Sequence, residues 1–253
     1  MITIKSKQDL EKMAQGGKIL SGVITEVLNH LKVGVSELEL DKLAQDFIIK
    51  RGGEPGFKKV PGYNYTLCTS TNDAVVHGIP TNYRFKEDDV AGIDCGVFYK
   101  GFNTDACKTK RVLPLNKNDK VDKFLKTGEK ALEEAIKMAV VGNRIGHISK
   151  TIQEIVEGNG YSVVRRLIGH GVGKNLHEKP GIPGFLDGTQ IEKTPALREG
   201  MTIAIEVIYN MGKSEVVLSG RDNWTIVTKD GSLSAVFEHT VAVTKEGPII
   251  LTA

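Results

Sequence analysis

Residues 90–112 read VAGIDCGVFYKGFNTDACKTKRV. Two β-like runs, Val90 to Tyr99 and Phe102 to Val112, flank Lys100-Gly101, and a glycine at the second position suits a two-residue hairpin turn. With Tyr99 opposite Phe102, the numbers of paired residues add to 201 throughout. Asp94 then lies opposite Cys107, and Asp105 stands two positions from Cys107 on the same strand. Because side chains alternate with period two, both carboxylates leave one face as diagonal neighbours, their α-carbons roughly 7–8 Å apart. Either aspartate alone reads as a solvent-facing strand residue. Sharing one face of an apolar hairpin, they need a positive partner.

The same problem recurs along the chain. Glu206 interrupts Ile203-Ala204-Ile205-Glu206-Val207-Ile208, and Glu238 interrupts the apolar run from Ala235 to Val241. His170 is bracketed by glycines in Ile168-Gly169-His170-Gly171-Val172-Gly173, which permit close backbone approach. Two cations would neutralise this set, and diagonal carboxylates suit ions about 3.5–4 Å apart. Four carboxylates and one imidazole suit Mn, Fe, Co or Zn better than an all-thiolate site would.

The chain has 253 residues, enough for a large core in one α/β-class domain. Its 34 basic and 31 acidic residues are spread without long like-sign blocks, so the net charge of +3 points to neither nucleic acid nor a membrane surface. The Lys-rich stretch from Leu115 to Lys130 reads as a solvated helix face. No apolar run approaches the ~18 residues of a membrane span, and Met1 to Met13 lacks a signal-peptide apolar region. A soluble, cytoplasmic protein is expected. Cys68, Cys95 and Cys107 show no paired spacing, so they read as reduced thiols packed as small apolar groups.

Apolar residues Leu10, Met13, Ile19, Leu20, Val23, Ile24, Val27, Leu28 and Leu31 make a continuous face, predicting a helix from about Gln8 to Leu31. Gly34 breaks it. Ser36 with Glu39 three residues on is a capping-box signature, opening a second helix that runs to Gly52. The pattern returns 108 residues later, the separation of Gly34 from Gly142. Phe124 to Ala139 repeats the first helix, Ile148 to Val156 the second, and Gly160 stands where Gly52 stood. Matching breaks favour an internal duplication, with halves of about 1–115 and 116–253 in one domain. Strands are expected at Thr66 to Val76, Val90 to Tyr99 and Phe102 to Val112. In the second half they are expected at Ser162 to Ile168, Thr202 to Met211, Glu215 to Leu218, Trp224 to Lys229 and Ser234 to Thr244. Strands sharing one sheet with helices over one face make an α+β domain.

Further motifs complete the pattern: His77-Gly78-Ile79-Pro80, the eleven-residue step from Asp94 to Asp105, His177-Glu178, Gly200-Met201-Thr202 ahead of Glu206, and Phe237-Glu238-His239-Thr240. Together with the glycine-bracketed His170, they make the chain resemble the type I methionine aminopeptidases over essentially its whole length. The resemblance implies the α+β pita-bread (creatinase/aminopeptidase-like) fold, with two pseudo-symmetric halves and a curved, mostly antiparallel sheet covered by helices. It implies removal of the initiator methionine from peptides and nascent chains, preferentially when the second residue is small. Two divalent ions (Co, Mn, Fe or Zn) would be held by Asp94, Asp105, His170, Glu206 and Glu238. Asp105 and Glu238 would bridge both ions, His170 and Glu206 complete one, and Asp94 completes the other.

A water between such ions loses its proton near neutral pH and would attack the methionine carbonyl, with Glu206 handling the proton. By the same resemblance His177 donates to the developing oxyanion, and His77 hydrogen-bonds the scissile amide. Phe57, Val60, Tyr63, Cys68, Leu176 and Trp224 match the methionine pocket, an apolar and aromatic slot for a flexible thioether. Four positions depart from the pattern usual in bacterial members: Val60 for tyrosine, Phe57 for cysteine, Leu176 for phenylalanine, and Val207 for the proline after the glutamate. They bear on pocket shape and second-residue preference, not on the reaction.

Proline-specific aminopeptidases of the same fold are the alternative. They normally carry a substantial preceding domain, whereas the first catalytic helix here is expected near residue 8. A non-enzymatic relative would have lost ligands, and all five are retained. A thiol hydrolase using Cys68 or Cys95 lacks a nucleophile motif. A monomer is expected, with no specific nucleic acid or membrane partner, and contact with the ribosome is left open.

Overall fold

A computed structural model describes residues 2–112 and 119–253. Ser6 accepts a hydrogen bond from the Asp9 amide while Asp9 caps the Ser6 amide in return, and this capping box starts α1 (Lys7–His30). Ser36 and Glu39 form the same device for α2 (Glu37–Lys50), as the sequence predicts. The chain then forms β1 (Glu54–Pro55), β2 (Leu67–Thr71), β3 (Ala74–Val76), β4 (Val90–Tyr99) and β5 (Phe102–Arg111). A second helix pair follows, α3 (Asp119–Lys137) and α4 (Ile145–Gly158). After it come β6 (Ser162–Val163), β7 (Gly169–Gly171), β8 (Glu178–Ile182), β9 (Thr202–Asn210), β10 (Val216–Leu218), β11 (Ile226–Thr228), β12 (Ser234–Thr244) and β13 (Gly247–Ile250). Gly34 and Gly142 break the helix pairs at φ of 86° and 95°, and Gly52 and Gly160 end them at 76° and 83°, angles that a side chain would oppose. The Lys-rich stretch is solvated where it falls on α3, with Lys123, Lys126 and Lys130 exposed. Its start at Leu115 lies outside the described residues.

The hairpin forms in the predicted register: Tyr99 pairs with Phe102 and Asp94 with Cys107. Lys100 and Gly101 both take positive φ, 47° and 88°, the signature of a tight hairpin turn that matches strand twist. Among the described residues the large sheet has ten strands, running β1-β4-β5-β12-β9-β7-β8 with β2 on β4, β6 on β9 and β13 on β12. Its centre joins a strand of each half, β5 against β12, through Phe237–Lys108, Glu238–Cys107 and His239–Ala106.

Helices cover one face, as expected. Odd-numbered residues of β9 and β12, among them Ile203, Ile205, Phe237 and Val241, pack under α3 and α4, while Ile93, Cys95, Val97 and Ala106 pack under α1 and α2. Val207 also turns to this side, so its departure from the family pattern lies in the core.

Three expectations are corrected. A single shared sheet is not what forms: Ala74 and Val76 leave the large sheet and pair with β11, whose other edge takes β10, making a separate three-stranded sheet across the two halves. It packs on the helix-free side, where Val75, Val76 and Val216 meet Cys107, Ile208 and Val236. The run Thr66 to Val76 is two strands because Asn72 turns at φ 59°. The run Ser162 to Ile168 pairs only at Ser162 and Val163.

Candidate metal centre

Between the large sheet and the small one lies a cavity of about 310 Å³, lined by all thirteen predicted site residues. Four carboxylates enter it from the middle of the sheet because their strands put even and odd residues on opposite faces. Register makes their arrangement simple. Asp94 opposes Cys107, Cys107 opposes Glu238, and Glu238 opposes Glu206, so one row crosses β4, β5, β12 and β9 with Asp105 a step along β5. Directly opposed like charges destabilise a sheet, yet Glu238 and Glu206 are paired in this way. No lysine or arginine lines the cavity among the described residues.

The protons report this repulsion. Removal from water, reinforced by Asp105 and Glu206, pushes the Asp94 carboxyl well up. Burial and the charge of Glu206 raise Asp105 to about 8. Burial raises Glu206 to about 7, although its edge remains open to the cavity. Glu238 is driven well above the ordinary range by burial and then by Asp105, Glu206 and Asp94. Asp94 Oδ1, Asp105 Oδ1 and Glu238 Oε1 are buried with no hydrogen-bond partner. Buried anionic oxygens without partners are costly unless they coordinate a cation, so the donor set fits divalent metal.

Asp105, His170 and Glu238 each offer a ligand atom, all within 4.8 Å of one another. Asp94 and Glu206 line the same cavity outside that tight group. His170 is set on β7, where Gly169 allows close approach: a side chain there would reach 2.5 Å from the Ala204 carbonyl. Its Nδ1 lies 2.9 Å from the Gly171 carbonyl and must donate to it, which leaves Nε2 as a lone pair facing Asp105 Oδ2 at 3.8 Å. Burial lowers the His170 pKa to about 4, keeping the imidazole neutral.

Two more histidines face the cavity. His177 stands at the mouth with its ring centroid 4.3 Å from that of His170, and partial desolvation keeps it neutral. His77 has φ 56°, a strained angle for a non-glycine residue that recurs at functional sites. Its neighbour Gly78 is pressed against β2, where a side chain would lie 2.0 Å from the Thr69 carbonyl. Burial, then His177, lowers the His77 pKa.

The predicted pocket residues form one apolar cluster beside the carboxylates. Tyr63 sits at its centre, edge-on to Phe57 at 6.4 Å and to Trp224 at 5.2 Å, with its hydroxyl donating to the Leu67 carbonyl. Phe57 lies over Gly96, where any side chain would meet the ring at 2.8 Å. Trp224 is held by Asp222, which accepts from the Trp224 and Thr225 amides at 2.7 and 2.6 Å. Cys107, Ser70, Leu167, Ile168 and Ile208 also line the cavity and were not anticipated. For Cys107 the signal existed, since register placed it opposite Asp94. Cys68, Cys95 and Cys107 are all free and buried.

Residues 11–245 match the model of metallopeptidase family M24. The chain belongs to that family. It is 40% identical over 252 residues to the methionine aminopeptidase of Clostridium perfringens, covering 100% of this chain and 99% of that one. It is also 40% identical over 252 residues to methionine aminopeptidase 1 of Bacillus subtilis. The crystal structure of methionine aminopeptidase from Thermotoga maritima superposes with a TM-score of 0.95 at 39% identity, covering 100% of this chain and 99% of that one. Prolidase from Pyrococcus horikoshii shares the fold, with a TM-score of 0.79 at 22% identity and 63% of its own length covered. This M24 chain is a metallopeptidase of pita-bread fold, and membership implies divalent metal at its acidic cavity. No helix among the described residues is long and apolar enough to cross a membrane.

Proposed function

We propose that the protein is an aminopeptidase that removes the N-terminal methionine from peptides and nascent chains, preferentially when the second residue is small. The row of opposed carboxylates with unpartnered buried oxygens carries this reading, and relatives of that name at 40% identity over the full chain support the substrate. In this reading Asp94, Asp105, His170, Glu206 and Glu238 would hold two divalent ions of the Mn, Fe, Co or Zn class. Bound there, the ions supply Lewis acidity that makes water a nucleophile near neutral pH.

The chain's own residues do the rest. Glu206, opposite Glu238 in the carboxylate row and facing the cavity, takes and returns a proton. Neutral His177 donates to the oxygen that gains charge, and neutral His77 hydrogen-bonds the amide to be cleaved. Phe57, Val60, Tyr63, Cys68, Leu176 and Trp224 receive the methionine side chain. The chain acts in this reading as one catalytic domain of two related halves, about 1–115 and 116–253, monomeric in the cytoplasm.

Hydrolysis of Met-Ala-Ser against an Xaa-Pro peptide by the metal-loaded protein tests the assignment. Preference for Met-Ala-Ser is expected. Preference for the Xaa-Pro peptide would assign the chain to the proline-specific side of the family.

A further inference from the structure

β5 and β12 meet through only three backbone-paired positions, centred on Cys107 and Glu238. One register step beyond each end, a regular ladder would pair Asp105 with Thr240 and Thr109 with Val236. Neither pairing forms. Instead the Thr240 hydroxyl accepts from the Asp105 amide at 2.8 Å and donates to the Asp105 carbonyl at 2.8 Å. At the other end the Thr109 hydroxyl accepts from the Val236 amide at 2.9 Å and donates to the Val236 carbonyl at 2.8 Å. A side chain therefore replaces a backbone rung twice, related by the local two-fold of an antiparallel pair.

The two clasps differ in what they hold. Thr109 grips Val236, an apolar residue. Thr240 grips Asp105, one of the three residues whose ligand atoms converge within 4.8 Å. Thr240 is fully buried and has its own backbone tied elsewhere: its amide to the Thr252 hydroxyl at 3.1 Å, its carbonyl to the Leu251 amide at 2.8 Å. Its hydroxyl is thus an insert of fixed length between strands that would otherwise close to ladder spacing of about 4.7–4.9 Å.

We infer that Thr240 is a positioning residue for the metal centre: by holding β5 splayed from β12 it sets where the Asp105 carboxylate stands relative to Glu238. The inference rests on the reading that Asp105 and Glu238 hold divalent ions. Partners that orient metal ligands typically contribute about 10–100-fold to metal affinity. Thr109 makes the same two hydrogen bonds without a ligand at the far end, and so supplies an internal control for the cost of losing a clasp.

Wild type, Thr240→Val, Thr240→Ser and Thr109→Val are stripped of metal and titrated with Mn(II) by calorimetry and with Co(II) by visible absorption under anaerobic conditions. Folding of each is checked by cooperative thermal unfolding. Thr240→Val is expected to bind both ions at least tenfold more weakly and to alter the Co(II) ligand-field bands. Thr240→Ser, which keeps the oxygen, should bind within about threefold of wild type, and Thr109→Val should do the same. Wild-type affinity and spectrum in Thr240→Val would overturn the inference, as would equal weakening in Thr109→Val. If Thr240→Val does not fold, the serine variant decides: a tenfold loss there also overturns it. Failure of the wild type itself to bind either ion would instead bring down the assignment of the ligands, and the inference with it.

Discussion

A carboxylate inside an apolar strand has two fates, to face water or to find a counter-charge. Asp94, Asp105, Glu206 and Glu238 were conspicuous in the sequence for this reason, and the hairpin register alone predicted that the first two share a face. Cys107 stood in the same row but offered no charge to attract notice, and Ser70, Leu167 and Ile208 became wall residues only through packing. His177 owes its neutrality to partial removal from water at the cavity. Replacing it by alanine is expected to lower turnover of Met-Ala-Ser by roughly 10²-fold, as for loss of one oxyanion donor. Metal stoichiometry, measured by elemental analysis of the same preparation, should not change. Unaltered turnover would remove the role.

At the scale of elements, helices were easier to read than strands. Period-3.6 faces and the Ser36-Glu39 box are local signals, whereas β8 (Glu178–Ile182) contains Pro180 and Gly181 and is a strand only because β7 offers it an edge. The small sheet likewise depends on β3 and β11, strands from opposite halves that no local pattern links. Helix glycines carry a message that composition hides. Gly17 of α1 faces the C-terminal segment, where a side chain would lie 1.9 Å from the Leu251 carbonyl, and Gly128 of α3 faces Tyr209 and Phe237 at 2.5 Å. Alanine is intrinsically better than glycine in a helix by about 1 kcal/mol. Here steric overlap with backbone wins, so Gly17→Ala should destabilise by about 1–3 kcal/mol, read as a lowered urea midpoint at constant slope. A midpoint at or above wild type would show that α1 does not dock this closely.

Across the whole molecule, the two halves face each other over repelling charge, and this predicts how metal-free protein responds to pH. Carboxylates raised to about 7 and about 8 bind protons more tightly when folded, so their stabilisation is complete at low pH and is lost as pH climbs through those values. The buried histidines work in the opposite sense: His77, His170, His177 and His239 have folded pKa values below 6.5, so their effect is confined to the range beneath it. Above pH 6.5 the carboxylates act alone. The urea midpoint of metal-free protein should therefore fall between pH 6.5 and pH 8, and with saturating Mn(II) it should not fall. A rising midpoint without metal would mean that the carboxylates are neutralised by something else.

Hydrolysis of Met-Ala-Ser after complete removal of metal, and again after separate restoration with Mn(II), Co(II), Fe(II) or Zn(II), addresses the acidic cavity directly. Activity should vanish in the stripped protein and return with at least one of these ions. Full activity in protein shown by elemental analysis to be free of metal would contradict the role of the carboxylate row.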